Sequence, residues 1–332
     1  MRNWGEFADL YGLRGEGPEL VGPNVAEAVY GFFANGGTSC YLVGTNGDGL
    51  GAYTAALAAL EKVRDVNIVV APDLWKSEVD APAIAKAIAG HCAQLGDRVA
   101  VLHTKQGASV EDAGKTPGLF GLEEAERAFT TVYYPWLDVP GIGGTARTVP
   151  PAGHTAGIWA RTDAERGVFK APANQNVRGV QSVETALSDD ENGTLNAAGV
   201  NCLRSFPDRG VLVWGARTLS TGRDWKYLNV RRLVCFLSDS ISTSTAWTTF
   251  EPNDERLWAA LRHAVASFLT DQWRQGALMG RTPDEAFHVV CDQSNNTADS
   301  VKAGKVVIDV GVAVVRPAEF VRFTVTSAAG SV

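Results

Sequence analysis

Between residues 24 and 101 short apolar runs alternate with helical repeats, and this alternation limits the fold more than any other property of the chain. The spacing predicts a helix over 24–34, a strand over 40–43, a helix over 52–63, a strand over 66–71, a helix over 81–95 and a strand over 98–102. Strands this uniformly apolar need cover on both faces, which parallel strands joined by helical crossovers obtain and half-solvated hairpins do not. The pattern therefore predicts βαβ units around a mostly parallel sheet with flanking helices, an α/β architecture. A strand at 129–134, a small-residue helix over 151–160 and a buried strand at 211–214 continue the same layer.

After Trp214 the rhythm changes. Leu233, Leu237 and Ile241 recur at helical spacing, and so do Leu257, Leu261, Val265 and Phe268, where residues 251–253 supply a Pro-containing start. Strands are expected over 286–291, 305–315 and 321–326, which makes the C-terminal part an α+β unit. The boundary is placed near Thr218, giving domains over 1–218 and 219–332. Val306, Ile308, Val310, Val312 and Val314 alternate along one expected strand, and Val321, Phe323 and Val325 along the next, so each has one face suited to burial. Pro317 lacks a donor and marks the turn between them.

Composition narrows the function classes. A chain of 332 residues with 45% hydrophobic content can bury one large core or two moderate ones. A net charge of -7 without a basic run argues against a nucleic-acid footprint. No apolar stretch is long enough to cross a bilayer, and the start of the chain has no signal-peptide pattern, so synthesis and assembly in the cytoplasm are expected. Cys40, Cys92, Cys202, Cys235 and Cys291 stand singly among apolar neighbours, which predicts free, mostly buried thiols and no metal site. His91, His103, His263 and His288 lack metal spacing too. The loop GTNGDGLG at 44–51 sits where a phosphate-binding loop would lie, but it fits neither GxGxxG nor the Walker pattern. No cofactor is expected; the loop reads as a surface connection. Arg217, Arg231, Arg232 and Glu251 interrupt apolar motifs and are candidate ion-pair residues, joining the domains or subunits; a solvated helix face is the alternative for Arg231 and Arg232. Trp214, Trp225, Trp247, Trp258 and Trp273 are assigned to the core.

Four longer stretches occur in a telling order: YYPWL at 133–137, PPAGHTAGIWARTDAERGVFKAPAN at 150–174, RGVLVWGARTLSTGRDWKYLNVRRLVCFLSDSISTSTAWTTFEP at 209–252 and RPAEF at 316–320. In them the chain resembles the contractile tail sheath proteins of phage tails, R-type pyocins and extracellular contractile injection systems, from about Trp4 to Val325. The resemblance implies a core often described as subtilisin-like, followed by an α+β sheath domain. It implies a structural subunit that polymerises helically around an inner tube, contracts to drive the tube through a target envelope, and meets baseplate and cap or terminator proteins. Many longer members insert a β-rich domain near the 44–51 loop. Members also exchange N- and C-terminal strand arms between neighbours; here that role would fall to Phe320, Val321, Phe323 and Val325, with Val306, Ile308 and Val310 in the receiving domain. Met1 falls where the family's N-terminal arm should already have ended, so the expectation is a short or truncated chain lacking that half of the mesh. Two other readings stay open: a non-polymerising adaptor at baseplate or cap, and an α/β hydrolase. For the hydrolase, Gly37, Thr38 and Ser39 and the histidine in 153–157 faintly match subtilase motifs, but Ser39 precedes His154, the reverse of subtilase order. A non-catalytic role is expected.

Overall fold

The computed structural model describes residues 1–11 and 22–319. In chain order the elements of the first part are α1 (Trp4–Leu10), α2 (Pro23–Ala34), α3 (Leu50–Leu60), β1 (Ile68–Val70), α4 (Ala81–Leu95), β2 (Val99–His103), α5 (Val110–Leu119), α6 (Glu124–Arg127), β3 (Thr130–Tyr134), β4 (Leu137–Val139), β5 (Arg147–Val149), α7 (Ala152–Arg166), β6 (Gln175–Asn176), β7 (Ser182–Val183), α8 (Asp189–Ala197), β8 (Val200–Phe206) and β9 (Gly210–Val213). The main sheet runs β1-β2-β3-β8-β9-β6; β1, β2, β3 and β8 are parallel, and β9 returns antiparallel to β8. β5, β4 and β7 make a separate antiparallel sheet.

Every residue of β2 and β3 is buried, because alternate side chains enter two different cores. Ala100, Leu102, Val132 and Tyr134 face Ile84, Ile88 and Cys92 of α4 and Phe120 after α5. Val99, Val101 and Tyr133 face Ile158 and Trp159 of α7 on the other side. This two-sided cover explains the non-alternating apolar runs read from the sequence. α7 lies so close to α2 that Gly153 meets Ala28 and Gly157 meets Phe32 and Asn35; only glycine leaves room for the two backbones. Asn35 ties the far end, accepting from Arg178 N at 2.8 Å and donating to Arg178 O at 3.0 Å.

The expected strand at 40–43 is not a strand. Its backbone is extended but unpaired with the sheet, and Cys40 instead exchanges bonds with Met1, 2.9 Å in each direction. The short helix α1 was not anticipated; Asn3 caps it by accepting from Glu6 N at 2.9 Å.

Beyond β9 lie α9 (Leu228–Ser244), α10 (Glu255–Arg274), β10 (Phe287–Val290) and β11 (Asp309–Val312), with β10 and β11 antiparallel. Leu233 and Leu237 of α9 pack on Val265 and Leu269 of α10, with Leu278 and Ala286 closing that core. Asp254, rather than 251–253, starts α10: its carboxylate accepts from the amides of Arg256 and Leu257, both at 3.0 Å. The expected strand over 305–315 shortens to Asp309–Val312. Before it, Asn296 substitutes for a strand partner, accepting from Val307 N at 2.7 Å and donating to Val307 O at 2.9 Å. Of the five tryptophans assigned to the core only Trp258 is buried; Trp247 is exposed at a helical corner, and the tryptophan at the centre is Trp159.

Candidate functional site

After β11 the chain leaves the two-stranded sheet and crosses back to the α/β core. Ala313 O accepts from Met279 N at 2.7 Å, and Val315 O accepts from the Asn229 side chain at 3.0 Å, which also donates to Phe169 O at 2.9 Å. Arg316 then reaches Asp224 at 3.2 Å on an exposed surface. The crossing ends in a denser cluster at Glu319.

Arg217 Nε and Nη2 donate to the two oxygens of Glu319 at 2.6 Å each. Asn196 Nδ2 adds a bond at 3.1 Å, and Tyr227 Oη stands at 3.5 Å. Arg217 is itself fixed: Asn201 accepts from its amide at 2.7 Å and donates to its carbonyl at 2.8 Å, and its Nη1 donates to Asn196 O at 2.6 Å. A planar guanidinium held at its backbone and aimed at a carboxylate in two-point contact is the geometry in which arginine outperforms lysine. Burial pushes the Glu319 carboxyl up, but bonds from Arg217 and Asn196 outweigh it and hold the group below its usual range. The arrangement joins β9's exit, α8, the start of α9 and the C-terminal segment at one charged point.

The other candidate ion-pair residues divide. Arg232, buried on α9, makes a two-point contact with Asp163 of α7 at 2.8 and 2.6 Å and lies over Trp159. Arg231 has no carboxylate partner among the described residues; its guanidinium lies between Trp225, 3.4 Å from the ring centre, and Phe129, at 4.1 Å. Burial lowers its pKa to about 10, because the aromatic faces replace water only in part. Neither arginine forms a solvated helix face. Glu251 is exposed and joins no ion pair among the described residues, since the corner after α9 turns it to solvent. A carboxylate that sequence reasoning passed over does more: Glu124 holds the 220–222 turn through Ser220 Oγ and the amides of Thr221 and Gly222.

Of the expected assembly strands, Val306 and Ile308 are half-buried against Leu257, Trp258 and Leu261. Val310 belongs to β11 opposite Val289 but is exposed, so the expected common buried face is interrupted there, with Val306 and Ile308 packed on one core and Val312 and Val314 on another. Phe320, Val321, Phe323 and Val325 lie outside the described residues.

The hydrolase geometry does not form. Ser39 is exposed on the extended segment, His154 is buried against Gly31 of α2, and no hydrogen bond joins them. Among the described residues no group of His, Cys, Asp and Glu could hold a metal ion, all five cysteines are free, and no helix is long and apolar enough to cross a membrane. The partners that sequence reasoning missed, Asp163 and Glu319, stand inside two of the quoted motifs; the motif was legible but the pairing was not.

The chain matches the phage tail sheath protein central domain over residues 47–219 and the phage tail sheath C-terminal domain over 220–327. It is 28% identical over 184 residues to a prophage major tail sheath protein of Pseudomonas aeruginosa (strain UCBPP-PA14), covering 54% of this chain and 46% of that one. It is 30% identical over 165 residues to the tail sheath protein of Salmonella phage ViI, covering 48% and 25%. The chain thus spans less than half the length of these curated relatives. Among solved structures it resembles a chain of the contracted sheath complex of the PVC extracellular contractile injection system, with a TM-score of 0.83, 29% identity and coverage of 99% and 86%. It also resembles a chain of the anti-feeding prophage baseplate, with a TM-score of 0.80, 32% identity and coverage of 93% and 82%.

Proposed function

Because the chain belongs to the phage tail sheath protein family, we propose that it is a structural, non-catalytic subunit of a contractile sheath. Copies stack helically around an inner tube, first as a metastable extended cylinder and then as a shorter, wider one, with baseplate and cap proteins at the ends. The extended form persists through a kinetic barrier rather than an equilibrium. The α/β part is read as the subtilisin-like core and the part after Thr218 as the sheath domain; the junction of the two family matches supports that boundary. Assembly begins in the cytoplasm on this reading, and the finished particle carries the subunit.

The observation that carries the reading is the Arg217–Glu319 anchor. It roots the C-terminal segment on the α/β core immediately before Phe320, Val321, Phe323 and Val325, the residues proposed to add a strand to a neighbour's β10–β11 sheet. Backbone hydrogen bonds make such a link, so it survives rigid-body rotation of the bodies it joins. The test is electron microscopy of the protein produced with its tube. Phe323→Asp, which would bury a charge in a shared sheet, is expected to abolish sheaths while the subunit still folds. Normal extended and contracted sheaths from that variant would overturn the arm assignment. One observation favours a second reading, an adaptor at the baseplate: the likeness to a baseplate chain. Short capped discs in place of tubes would select it.

A further inference from the structure

The free edge of the main sheet is where the fold is incomplete. β1 ends the sheet, and among the described residues no backbone bond reaches its outer side. Beside it lies a cleft of about 780 Å³, walled by residues of the 38–45 segment, by β1 and by Tyr53, Leu57 and Leu60 of α3. Although α3 has the apolar sequence LGAYTAALAAL, none of its residues is buried. Tyr41 and Val43 are 52% and 39% exposed. Unpaired edges bordered by apolar surface are ordinarily covered or blunted.

Chain order shows what covers this one. β1, α4 and β2 form a parallel strand-helix-strand unit, and β2, the following helices and β3 form the next. Residues 40–43, α3 and β1 are the same unit one step earlier, and a right-handed crossover sets its first strand parallel to β1 in the next sheet position. The segment is also held within reach. Its root is fixed by Gly37 N donating to Phe32 O at 2.9 Å and by the Cys40 and Met1 pairing.

We propose that residues 40–43 are a seventh strand of the main sheet with two positions: undocked, as in this structure, and docked in parallel on β1. Docking closes the cleft, covers Leu57 and Leu60 and removes the free edge. Undocking leaves that edge open to a strand from another molecule, so the position of this one segment decides whether the α/β core can join a neighbour by strand addition. The proposal stands apart from the sheath reading, since it uses only topology and the cleft.

Two cysteine pairs test it: Leu42→Cys with Val69→Cys, and Tyr41→Cys with Val69→Cys, each with Cys40→Ser. Neighbouring residues of a docked strand face opposite sides of the sheet. Docking therefore predicts that one pair oxidises at least tenfold faster than the other, read by peptide mapping under mild oxidant. Equal rates for both pairs, as a loose loop gives, or no disulfide in either, overturn the proposal. Hydrogen exchange on the unmodified chain provides a reading free of substitutions. An edge strand turns alternate amides to its neighbour, so protection of one of the Leu42 and Val43 amides, at least tenfold over an unstructured peptide, supports docking, and no protection at either refutes it.

Discussion

Replacing Gly153 by alanine sets two opposing effects against each other, and the α2–α7 contact decides the sign. Alanine in a helix interior is about 1 kcal/mol better than glycine, and at most that at Gly153, the second residue of α7, so an uncrowded site should gain stability. Gly114 in α5 is such a site, the nearest atom to an added methyl being a Leu195 carbon at 3.9 Å. At Gly153 the same methyl would stand 2.5 Å from Ala28 Cα and against Ala28 O, backbone atoms that no rotamer change can move. The helices would have to part by roughly 1 Å in a core that registers even one methylene. Overpacking of this kind costs about 1–3 kcal/mol, and the upper end applies where backbone meets backbone. Net destabilisation of Gly153→Ala should be about 2 kcal/mol, while Gly114→Ala gains about 0.5–1 kcal/mol. Urea titration followed by far-UV dichroism separates them. With a slope of about 3 kcal/mol/M, the Gly153 variant should lose roughly 0.7 M in midpoint. Adding Gly157→Ala should cost less than its own single effect, because one separation of the helices relieves both clashes. A Gly153→Ala protein as stable as the parent would refute the backbone-contact argument.

Further expectations concern charge. The rings of His103 and His154 are fully buried, and burial holds their pKa values down at about 3 and about 4, so both stay neutral in the fold while the unfolded chain takes up protons below about 6.5. Stability should thus be level above pH 6.5 and fall from there to about pH 4 for His154 and about pH 3 for His103, by about 2 kcal/mol per histidine at pH 5; equal urea midpoints at pH 7.5 and 5 would contradict this. Glu319→Gln keeps the side-chain shape but leaves Arg217 without its counter-charge, which at this partial burial should cost about 2 kcal/mol locally and speed amide exchange at 313–319 roughly thirtyfold, with β2 and β3 unchanged. Arg231→Lys loses the planar stack between Trp225 and Phe129 and should lower the urea midpoint by an amount worth about 1 kcal/mol; an unchanged midpoint would show the stack to be incidental.

Where packing obeys local periodicity, the sequence was a good guide. The helix at 81–95 appears with the expected ends, and the apolar runs that became β1, β2 and β3 each carry enough β-branched and aromatic residues to declare themselves. Residues 40–43 have the same composition and stand outside the sheet in this structure, because strand propensity describes a willingness to pair and does not by itself hold a segment against an edge. The charged residues show the same limit. Arg217 is visibly out of place in an apolar motif, but its carboxylate lies 102 residues away, beyond α9, α10, β10 and β11, and only the tertiary fold makes it a neighbour. For Arg231 the surroundings proved aromatic, and nothing near it in the chain distinguishes a stacked guanidinium from a paired one.

The crossing at 313–319 also determines how a mechanical load would travel. Any pull applied to the chain beyond Glu319 meets the Arg217 fork first, then the Arg316 and Asn229 contacts, and only afterwards the ladder of β11 on β10. Tension therefore enters the six-stranded sheet at the exit of β9 and bypasses the two-stranded one, whose few hydrogen bonds would otherwise peel one at a time. The weaker sheet is left outside the line of force, like a hinge mounted beside a cable instead of within it.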